Sequence, residues 1–522
     1  MSEELRGGTK VLVTLSVMLA TIIQVLDTTI ANVALPHMQG TLMTTQDQIT
    51  WVLTSYIVAS AIMTLPTGWL SGRYGRKNIF LVAVFGFTVT SMLCGLANSL
   101  PQMITYRILQ GVFGAALVPL SQSTLLDINT RAQHGKAMAL WGMGVMLGPI
   151  LGPTLGGYLT DNYSWRWVFF INLPLGLISF IGILLFMPDN KRSDRPFDKL
   201  GFFTLSLAIG CLQLTMDRGE VADWLDSREI LTYIALGLGA MWVYAIHTMQ
   251  AKHPFLSPAM FRDRNLVTGL IFIFFVGILL LATMALLPPY LQNLMGYPVQ
   301  TVGYIMAPRG IGTMFAMMLV GRLSGKIDPR VLIIAGLLMT AYSLEQMSLF
   351  STFVPASLII SSGMLQGLGL GFIFVPLSTI TYATLAPEYR SEATSLFSLI
   401  RNLGSSIGVS IAIMIFSRNT QIQHAYLNES VTSFSTWLDL RQNGPSTGDS
   451  LPAVLQMIDA EISRQATAIA FNSDFKIMMW VVLAVIPLVF FMRNPDREEK
   501  KAELKTKLPG TDNLKAASAQ TA

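Results

Sequence analysis

The hexapeptide Gly68-Trp-Leu-Ser-Gly-Arg73 recurs later in the chain as Gly321-Arg-Leu-Ser-Gly-Lys326. Other segments repeat at almost the same distance, so that all the matches are offset by 252 to 257 residues. They pair Leu109-Gln-Gly111 with Leu365-Gln-Gly367, Val118-Pro-Leu-Ser121 with Val375-Pro-Leu-Ser378, and Ala34-Leu-Pro36 with Leu286-Leu-Pro288. Each pair keeps its direction, which indicates a parallel duplication of the kind that many transporters use to build two halves around a central site.

The chain is apolar along almost its whole length. It has 522 residues, of which 52% are hydrophobic and only 12% are charged, whereas a soluble domain is about 25% charged. Apolar runs of about 20 residues, the length that crosses a hydrocarbon core of roughly 30 Å, fill the sequence from Val11 to Met492. Alternating apolar and polar strands are absent, so helices must satisfy the backbone in lipid. The sequence therefore predicts an all-α polytopic membrane protein.

Fourteen spans are predicted, and the duplication divides them into two six-helix bundles with two inserted helices between them. The spans cover residues 11–35, 50–70, 78–97, 102–124, 136–158, 165–187, 199–216, 229–250, 265–287, 301–321, 331–351, 355–383, 393–417 and 475–492. The predicted domains are a cytoplasmic N-terminus (1–10), an N-terminal bundle (11–187), an inserted pair (199–250), a C-terminal bundle (265–492) and a cytoplasmic tail (493–522).

Lys and Arg concentrate in the loops that follow even-numbered spans, for example Arg73, Arg76 and Lys77 after span 2. The loops after spans 1, 3, 9 and 11 contain neither residue, so the positive-inside rule places both termini in the cytoplasm. For the same reason the net charge of +5 indicates membrane orientation, and no nucleic-acid partner is expected. The one long loop, 418–474, is then periplasmic, and its residues 451–470 have a helical pattern.

Several segments resemble the signatures of one transporter family. Gly68-Trp-Leu-Ser-Gly-Arg-Tyr-Gly-Arg-Lys77 resembles the loop 2–3 signature of the major facilitator superfamily, and Tyr106-Arg-Ile-Leu-Gln-Gly111 resembles its helix 4 motif. Gly144-Val-Met-Leu-Gly-Pro-Ile-Leu-Gly-Pro-Thr-Leu-Gly-Gly157 resembles the helix 5 motif associated with antiporters. Leu26-Asp-Thr-Thr-Ile-Ala-Asn-Val-Ala-Leu-Pro36, together with Asp217-Arg-Gly219 and Asp223-Trp224, is similar to the fourteen-helix drug:proton antiporters, and most similar to the EmrB-type multidrug exporters.

The resemblance implies the major facilitator fold and a proton-coupled antiporter of the bacterial inner membrane that exports hydrophobic or amphipathic drugs and toxins. It also implies two partners, a periplasmic HlyD-type adaptor and a TolC-type outer-membrane channel. Protons are the coupling ion, and neither a cofactor nor a metal is implied. The loop motif places Gly68, Arg73, Gly75 and Arg76 at functional positions. Gly72 stands where the family usually has an acidic residue, so the ionic latch formed there in relatives is not carried over.

Asp27 is the main candidate for proton coupling. It lies about two-thirds of the way along span 1, where an ionised carboxylate is costly and must find a cation or bind a proton. Arg107 lies at a similar depth in span 4, so contact with Asp27, direct or through water, is expected. Their counterparts in the second half are about Leu279 and Gly363, so the duplicated scaffold does not need these charges everywhere. The alternative is a purely structural ion pair.

Three further charges fall within predicted spans: Arg309, Glu345 and Arg401. Arg309 and Glu345 lie in the outer halves of successive spans, so an ion pair between them is one expectation and snorkelling of Glu345 to the interface is the other. Arg401 lies too deep for snorkelling. Polar side chains in the spans are candidates for lining a substrate cavity, namely Gln24, Asn32, Gln110, Gln122, Gln366 and Asn402.

Small residues recur every four positions in span 5. The antiporter-like motif comprises Gly144, Gly148, Pro149, Gly152, Pro153 and Gly156. Glycines at this spacing let a neighbouring backbone approach closely, and the prolines weaken the helical hydrogen bonds. Close packing explains this strip, and a bending or sealing role in antiport follows only from the resemblance.

Other functions remain open beside proton-coupled export. A facilitator-type exporter of one specific metabolite would have the same fold. An enzyme is not expected, because the spans contain no His/Asp metal cluster, nucleophile elbow or pair of catalytic carboxylates, and the chain has only 5 histidines. A receptor or channel would not explain the duplication. No Gly-x-x-x-x-Gly-Lys-Ser/Thr segment occurs, so ATP is not the expected energy source.

Overall fold

Helices account for the architecture of the computed structural model, which describes residues 7–130, 133–189, 192, 195–429 and 451–493. In chain order they are α1 Gly7–Thr41, α2 Gln46–Ile49, α3 Trp51–Thr64, α4 Thr67–Tyr74, α5 Arg76–Leu96, α6 Leu100–Gly114, α7 Leu117–Ile128, α8 His134–Asn162, α9 Trp167–Phe170, α10 Asn172–Phe186, α11 Lys199–Arg218, α12 Arg228–Gln250, α13 Arg264–Pro289, α14 Val299–Leu323, α15 Pro329–Met347, α16 Ala356–Ala383, α17 Arg390–Glu429 and α18 Leu451–Val485.

Most of these helices have the length and composition of membrane spans. Within the described residues, 12 are long and apolar enough to cross a bilayer, and the number reaches 13 when the bent pair α3 and α4 is counted as one span. The predicted eleventh span corresponds to α15, a helix of 19 residues that is outside this set. The multi-pass helical architecture is therefore confirmed, while the count of fourteen spans stays a prediction.

The bend between α3 and α4 has a local cause. The two helices meet at an angle of 53°, and Pro66 stands at the N-cap of α4. Because proline has no backbone N–H to donate, it interrupts the helical hydrogen bonds at this point. Gly75 then turns the chain into α5 with a φ of 90°, a conformation that favours glycine.

The two bundles repeat the same helix contacts. In the first bundle α1 packs on α8 and α10, and in the second α13 packs on α17 and α18. Likewise α6 packs on α3 and α5, while α16 packs on α14 and α15. The inserted helix α11 packs on its partner α12 and also on α3 and α17, one helix from each bundle. The structure thus has the parallel duplication that the repeated segments predict.

The last two helices are longer than the predicted spans. At 1.5 Å per residue, the 40 residues of α17 extend about 60 Å and the 35 residues of α18 about 52 Å, against roughly 30 Å of hydrocarbon. The predicted loop 418–474 is therefore largely helical, because α17 continues to Glu429 and α18 already begins at Leu451. Residues 430–450 and the tail from 494 onward lie outside the described residues.

At one end of the molecule, several arginine residues form hydrogen bonds or ion pairs that link loops and helix ends. Arg76 and Arg390 both pair with Asp127, Arg195 pairs with Glu392, and the backbone N–H of Arg493 donates to Asn265 over 2.7 Å. We call this the basic end. α1, α5, α13 and α17 begin there, and α18 runs towards it.

Candidate functional site

Four buried polar side chains meet inside the first bundle. Asp27 comes from α1, Arg107 and Gln110 from α6, and Asn172 from the start of α10, and each is 0% exposed. We call these four residues the polar cluster. Burial of this many polar groups is tolerated only when they satisfy one another, so the cluster fixes how three helices meet.

The carboxylate of Asp27 accepts three hydrogen bonds. Arg107 Nη1 donates to Oδ2 over 2.7 Å, Gln110 Nε2 donates to Oδ1 over 2.9 Å, and Asn172 Nδ2 donates to Oδ1 over 3.0 Å. The sequence places Asp27 and Arg107 at similar depth, and the structure joins them directly. Both carboxylate oxygens therefore have partners, as a polar group buried in apolar surroundings requires.

Arg107 is held by more than its partner carboxylate. Its Nε donates to the backbone oxygen of Val52 over 3.0 Å, and its Nη1 also lies 2.8 Å from Gln110 Oε1. The guanidinium carbon stands 4.3 Å from the ring centre of Tyr56 and 5.7 Å from that of Phe169, so two aromatic faces stabilise the cation. Arg107 would therefore keep its position if Asp27 bound a proton.

The glycine strip of α8 determines where α1 lies. A Cβ atom on Gly148 would stand 2.6 Å from Val25 Cγ1, and one on Gly152 would stand 2.2 Å from Thr29 Oγ1. Thr29 in turn donates to the backbone oxygen of Gly148 over 3.0 Å. These contacts flank Asp27 in the sequence, so the strip packs α8 against the helix that carries the carboxylate.

The predicted cavity residues divide into two groups. Gln110 belongs to the polar cluster, and Gln24 donates to the hydroxyl of Tyr56 over 3.3 Å. The other four lie elsewhere: Asn32 is exposed, Gln122 is buried with neither amide atom hydrogen-bonded among the described residues, Gln366 donates to Thr283 over 3.3 Å, and Asn402 lies 3.4 Å from Arg401.

The predicted ion pair between Arg309 and Glu345 is wrong. Glu345 pairs with Lys476 of α18, which offers its ammonium group at the same level of the bundle. Arg309 is buried and donates to the backbone oxygen of Leu280 over 3.4 Å, and its Nη1 has no partner in the described part of the chain. Arg401 is half-buried in α17. Within the part of the chain that the structure describes, none of these three side chains is hydrogen-bonded or ion-paired to the polar cluster.

A second set of charges joins the two bundles at the basic end. Arg76 Nη1 donates to Asp127 Oδ2 over 2.6 Å, and Arg390 Nη1 donates to Asp127 Oδ1 over 2.7 Å. Beside them, Arg195 donates to Glu392 over 2.8 Å. Gly68 lies against Glu392 so closely that a Cβ would stand 2.7 Å from its Cα. Asp127 of α7 therefore joins Arg76 of its own bundle to Arg390 of the other bundle, and we call these contacts the latch. Asp127 lies outside the loop motif, in which Gly72 stands in place of the usual acid.

Sequence reasoning missed Asn172, Asp127 and Arg390. Asn172 is a single amide in the apolar segment Val168–Phe186, and its isolation is a signal that could have been used. Asp127 and Arg390 lie at helix ends, where charged residues are common, so nothing in the sequence separates them from ordinary surface charges. Only the packing of the two bundles brings them together.

Comparison with known proteins agrees with this architecture. The sequence profile of the Major Facilitator Superfamily matches residues 17–409. The chain is 33% identical over 502 residues to the multidrug export protein EmrB of Haemophilus influenzae, covering 94% of this chain and 97% of that protein. It is 35% identical over 498 residues to the fatty acid resistance protein FarB of Neisseria gonorrhoeae, with coverage of 94% and 97%.

The fold is shared with solved structures at much lower identity. The proton:xylose symporter XylE has a TM-score of 0.62 and 13% sequence identity, and the match covers 92% of this chain and 95% of that one. Two related bundles of membrane-spanning helices, with a buried polar cluster in one of them, define a multi-pass membrane transporter. The chain belongs to the major facilitator superfamily, as the sequence motifs predict.

Proposed function

We propose that the protein is a proton-coupled antiporter that exports hydrophobic or amphipathic compounds across the inner membrane of a bacterium. The observation that carries the proposal is the ion pair of Asp27 and Arg107, in which neither side chain exposes any surface. A carboxylate at this depth is retained at a cost, and such groups mark proton or substrate pathways in membrane proteins. The similarity to EmrB of Haemophilus influenzae supports drugs as substrates.

The proposed cycle alternates the charge of Asp27. When a proton binds the carboxylate, Oδ2 loses the charge that attracts Arg107, while the contacts of Arg107 with Val52 and Tyr56 keep the guanidinium in place. The attraction between α1 and α6 then weakens, which favours a different arrangement of the helices. Release of that proton on the other side restores the pair. One proton that crosses 100 mV contributes about 2.3 kcal/mol to the export of substrate.

The basic end is assigned to the cytoplasm, because basic loops are retained on that side. The latch of Asp127 with Arg76 and Arg390 would then close the cytoplasmic side between the bundles. Substrate enters from the cytoplasm only after this latch opens, and protons reach Asp27 from the opposite side. Both termini are cytoplasmic in this orientation.

A narrower function is export of one class of amphiphile. The relative FarB is named for fatty acid resistance and is 35% identical to this chain. A fatty acid has the same apolar body and single polar end as many amphipathic drugs, so the two functions differ in selectivity and share the mechanism. Competition between oleate and a drug for transport distinguishes them.

The projecting ends of α17 and α18 are the proposed docking element for a periplasmic HlyD-type adaptor, which would connect to a TolC-type outer-membrane channel. His424 near the end of α17 lies 3.2 Å from Asp459 in α18, so the two helices remain paired beyond the length that a bilayer covers. Such a paired projection offers a rigid surface, which lowers the entropic cost of binding a partner.

The experiment uses purified protein in liposomes loaded with a pH-sensitive dye. An inward gradient of ethidium or tetraphenylphosphonium should drive the cation into the lumen and protons out, so the lumen becomes alkaline. Liposomes without protein are the control for leakage. Uptake of the probe without a change of lumenal pH would show an uncoupled facilitator and contradict the proposal.

A further inference from the structure

The second bundle contains a cavity that the proposed function does not use. It lies between α13, α17 and α18, has a volume of about 170 Å³, and is lined mainly by apolar side chains such as Phe275, Ile278, Ala412 and Met478. One lining residue is different: Asp474 of α18. The sequence alone assigns Asp474 to an outer loop, so its burial within a helix becomes visible only in the structure.

Asp474 is buried without a hydrogen-bond partner. Its side chain is 2% exposed, and neither carboxylate oxygen is hydrogen-bonded to any described residue. The contrast with Asp27 is direct, because Asp27 accepts three hydrogen bonds, one of them from the guanidinium of Arg107. An isolated ionised carboxylate in apolar surroundings is very costly, and such a group becomes neutral by binding a proton.

The charged groups around Asp474 do not neutralise it. The residues that α13 and α17 contribute to the cavity wall carry no titratable side chain. Lys476, two positions along α18, pairs with Glu345 of α15. Arg309 of α14 donates to the backbone oxygen of Leu280 on α13, one residue from the cavity-lining Leu279, and makes no recorded hydrogen bond to the carboxylate.

The duplication relates this acid to the polar cluster. Leu279, which lines the cavity, is the repeat counterpart of Asp27 at an offset of 252 residues. α18 packs on α13 and α15 as α10 packs on α1 and α5, so α18 takes the place that α10 has in the first bundle. The first bundle has its acid on α1 and an amide on α10, whereas the second has a leucine on α13 and its acid on α18.

The two acids also lie at similar distances from the basic end. Asp27 is 17 residues beyond Lys10 in α1, and Asp474 is 19 residues before Arg493. At the helical rise these separations correspond to about 25 Å and roughly 30 Å. Both carboxylates therefore lie in the half of the bundle far from the basic end, the side from which protons enter in the proposed function.

We propose that Asp474 is a second proton-binding site of the transport cycle, which holds its proton in the conformation described here. A hydronium ion on the outer side donates the proton: one of its O–H bonds breaks, one O–H bond forms on a carboxylate oxygen of Asp474, and water is left. It leaves when movement of α18 against α13 and α17 admits water to the cavity. The inference rests on proton-coupled transport, and it adds one proton to the number exchanged for each substrate molecule.

The first test detects, without any substrate, whether the carboxyl group of Asp474 is protonated. Infrared spectra of the full-length protein in lipid nanodiscs, at neutral pH, separate the C=O band of a protonated acid from that of a carboxylate. The wild type should show a protonated-acid band that Asp474→Asn loses. Asp161→Asn, which changes an exposed acid of α8, should keep it. An unchanged band in Asp474→Asn would overturn the proposal.

The second test counts protons for each ethidium molecule transported in liposomes. Asp474→Asn should move one proton fewer than the wild type, and Asp161→Asn should match the wild type. If the infrared band is lost but the ratio is unchanged, Asp474 keeps its proton throughout and the proposal is wrong. If Asp474→Asn does not fold, Asp474→Leu, which suits the apolar wall, is measured in its place.

These outcomes separate the inference from the proposed function. A wild type that transports ethidium without protons contradicts the antiport mechanism, and the second proton site falls with it, whatever the infrared spectra show. If the wild type exchanges protons, and Asp474→Asn moves the same number of protons per ethidium molecule as the wild type, only the role of Asp474 is contradicted. Loss of ethidium binding at an unchanged infrared band would assign Asp474 to substrate recognition and overturn the proposal.

Discussion

Arg107 Nη1 lies 2.7 Å from Asp27 Oδ2, and the two side chains are 0% exposed. The pair joins α6 to α1 inside the first bundle, and the second bundle has Leu279 and Gly363 at the equivalent positions. The guanidinium of Arg107 is also held by Val52 and Tyr56. In the proposed cycle, binding of a proton to Asp27 therefore changes how strongly the two helices attract each other.

Replacement of Arg107 should move the pH dependence of exchange. Arg107→Ala removes the cation that pairs with the Asp27 carboxylate, so the pH of half-maximal exchange should change. Arg107→Lys retains the charge and should shift it less. Transport by the purified variants is measured across pH in liposomes.

The control for that series is Arg228→Ala, which removes an exposed arginine of α12 and should leave the profile unchanged. A profile that does not move in Arg107→Ala, in a protein that still transports, would show that the two residues are not coupled.

The latch at the basic end should depend on Asp127. Asp127→Asn removes both ion pairs, but only the pair with Arg390 joins the two bundles. That pair is worth up to about 1 kcal/mol at this exposure, so the closed arrangement should lose up to roughly 5-fold in population. Asn78 and Lys326 are exposed on different bundles. Spin labels at these two positions report the distance between the bundles by double electron–electron resonance. The variant should show a longer and broader distance distribution than the parent.

This measurement needs a background in which the buried cysteines Cys94 and Cys211 are replaced by serine. Asp161→Asn is the matched control, because Asp161 lies at the opposite end and faces His37. Equal distance distributions for Asp127→Asn and the control would show that the latch does not hold the bundles together.

The glycine strip provides a matched pair of substitutions within α8. In Gly148→Ala the new methyl group would stand 2.6 Å from a Val25 side-chain atom and 3.0 Å from its backbone carbon. The helices must separate, and we expect destabilisation by about 1–3 kcal/mol. Gly157→Ala has nothing within 4 Å and should be neutral or slightly stabilising, as alanine favours helices. Thermal unfolding in detergent compares them, and equal midpoints would contradict tight packing at Gly148.

The projecting ends of α17 and α18, the proposed docking element, should be needed for partner binding and not for transport. Replacement of residues 425–458 by a short flexible linker should leave ethidium transport in liposomes intact. In cells that contain the adaptor, the same change should abolish drug resistance and adaptor co-purification. Full resistance in cells would rule out docking at this element. Loss of transport by the purified variant would instead assign the element to the transport machinery.

Much of the fold follows from the sequence, because an apolar segment of spanning length must satisfy its own backbone hydrogen bonds in lipid and therefore forms a helix. The repeated segments predict the two bundles, and the glycine spacing predicts the contact of α8 with α1. The helical pattern predicted for residues 451–470 is confirmed, because α18 begins at Leu451. The sequence misplaces Asp474 because the start of α18 is too polar to be assigned to the membrane span that follows, whereas in the structure one helix runs from Leu451 to Val485 and its start pairs with α17, as His424 and Asp459 show.

The site was predictable only in part. Asp27 and Arg107 stand out because charges are rare in apolar spans. The roles of Asn172, the third donor to Asp27, and of the latch residue Asp127 depend on which helices pack together. Those contacts join segments far apart in the sequence, so no local pattern predicts them. The wrong pairing of Arg309 with Glu345 has the same origin, since both residues were placed by depth alone and Lys476 lies on a helix that the sequence assigns partly to a loop.

In the proposed cycle, Asp27 carries the exchanged proton. The most direct test is lumenal pH during ethidium uptake by liposomes that contain Asp27→Asn, compared with the wild type and with Asp161→Asn at equal protein content. The amide keeps the size of the side chain and has no proton to exchange. We expect the variant to fold and Asp161→Asn to behave as the wild type, while Asp27→Asn neither alkalinises the lumen nor accumulates ethidium against its gradient when a pH gradient is imposed. Uphill, proton-driven accumulation of ethidium by Asp27→Asn at the wild-type rate would show that Asp27 does not carry the proton.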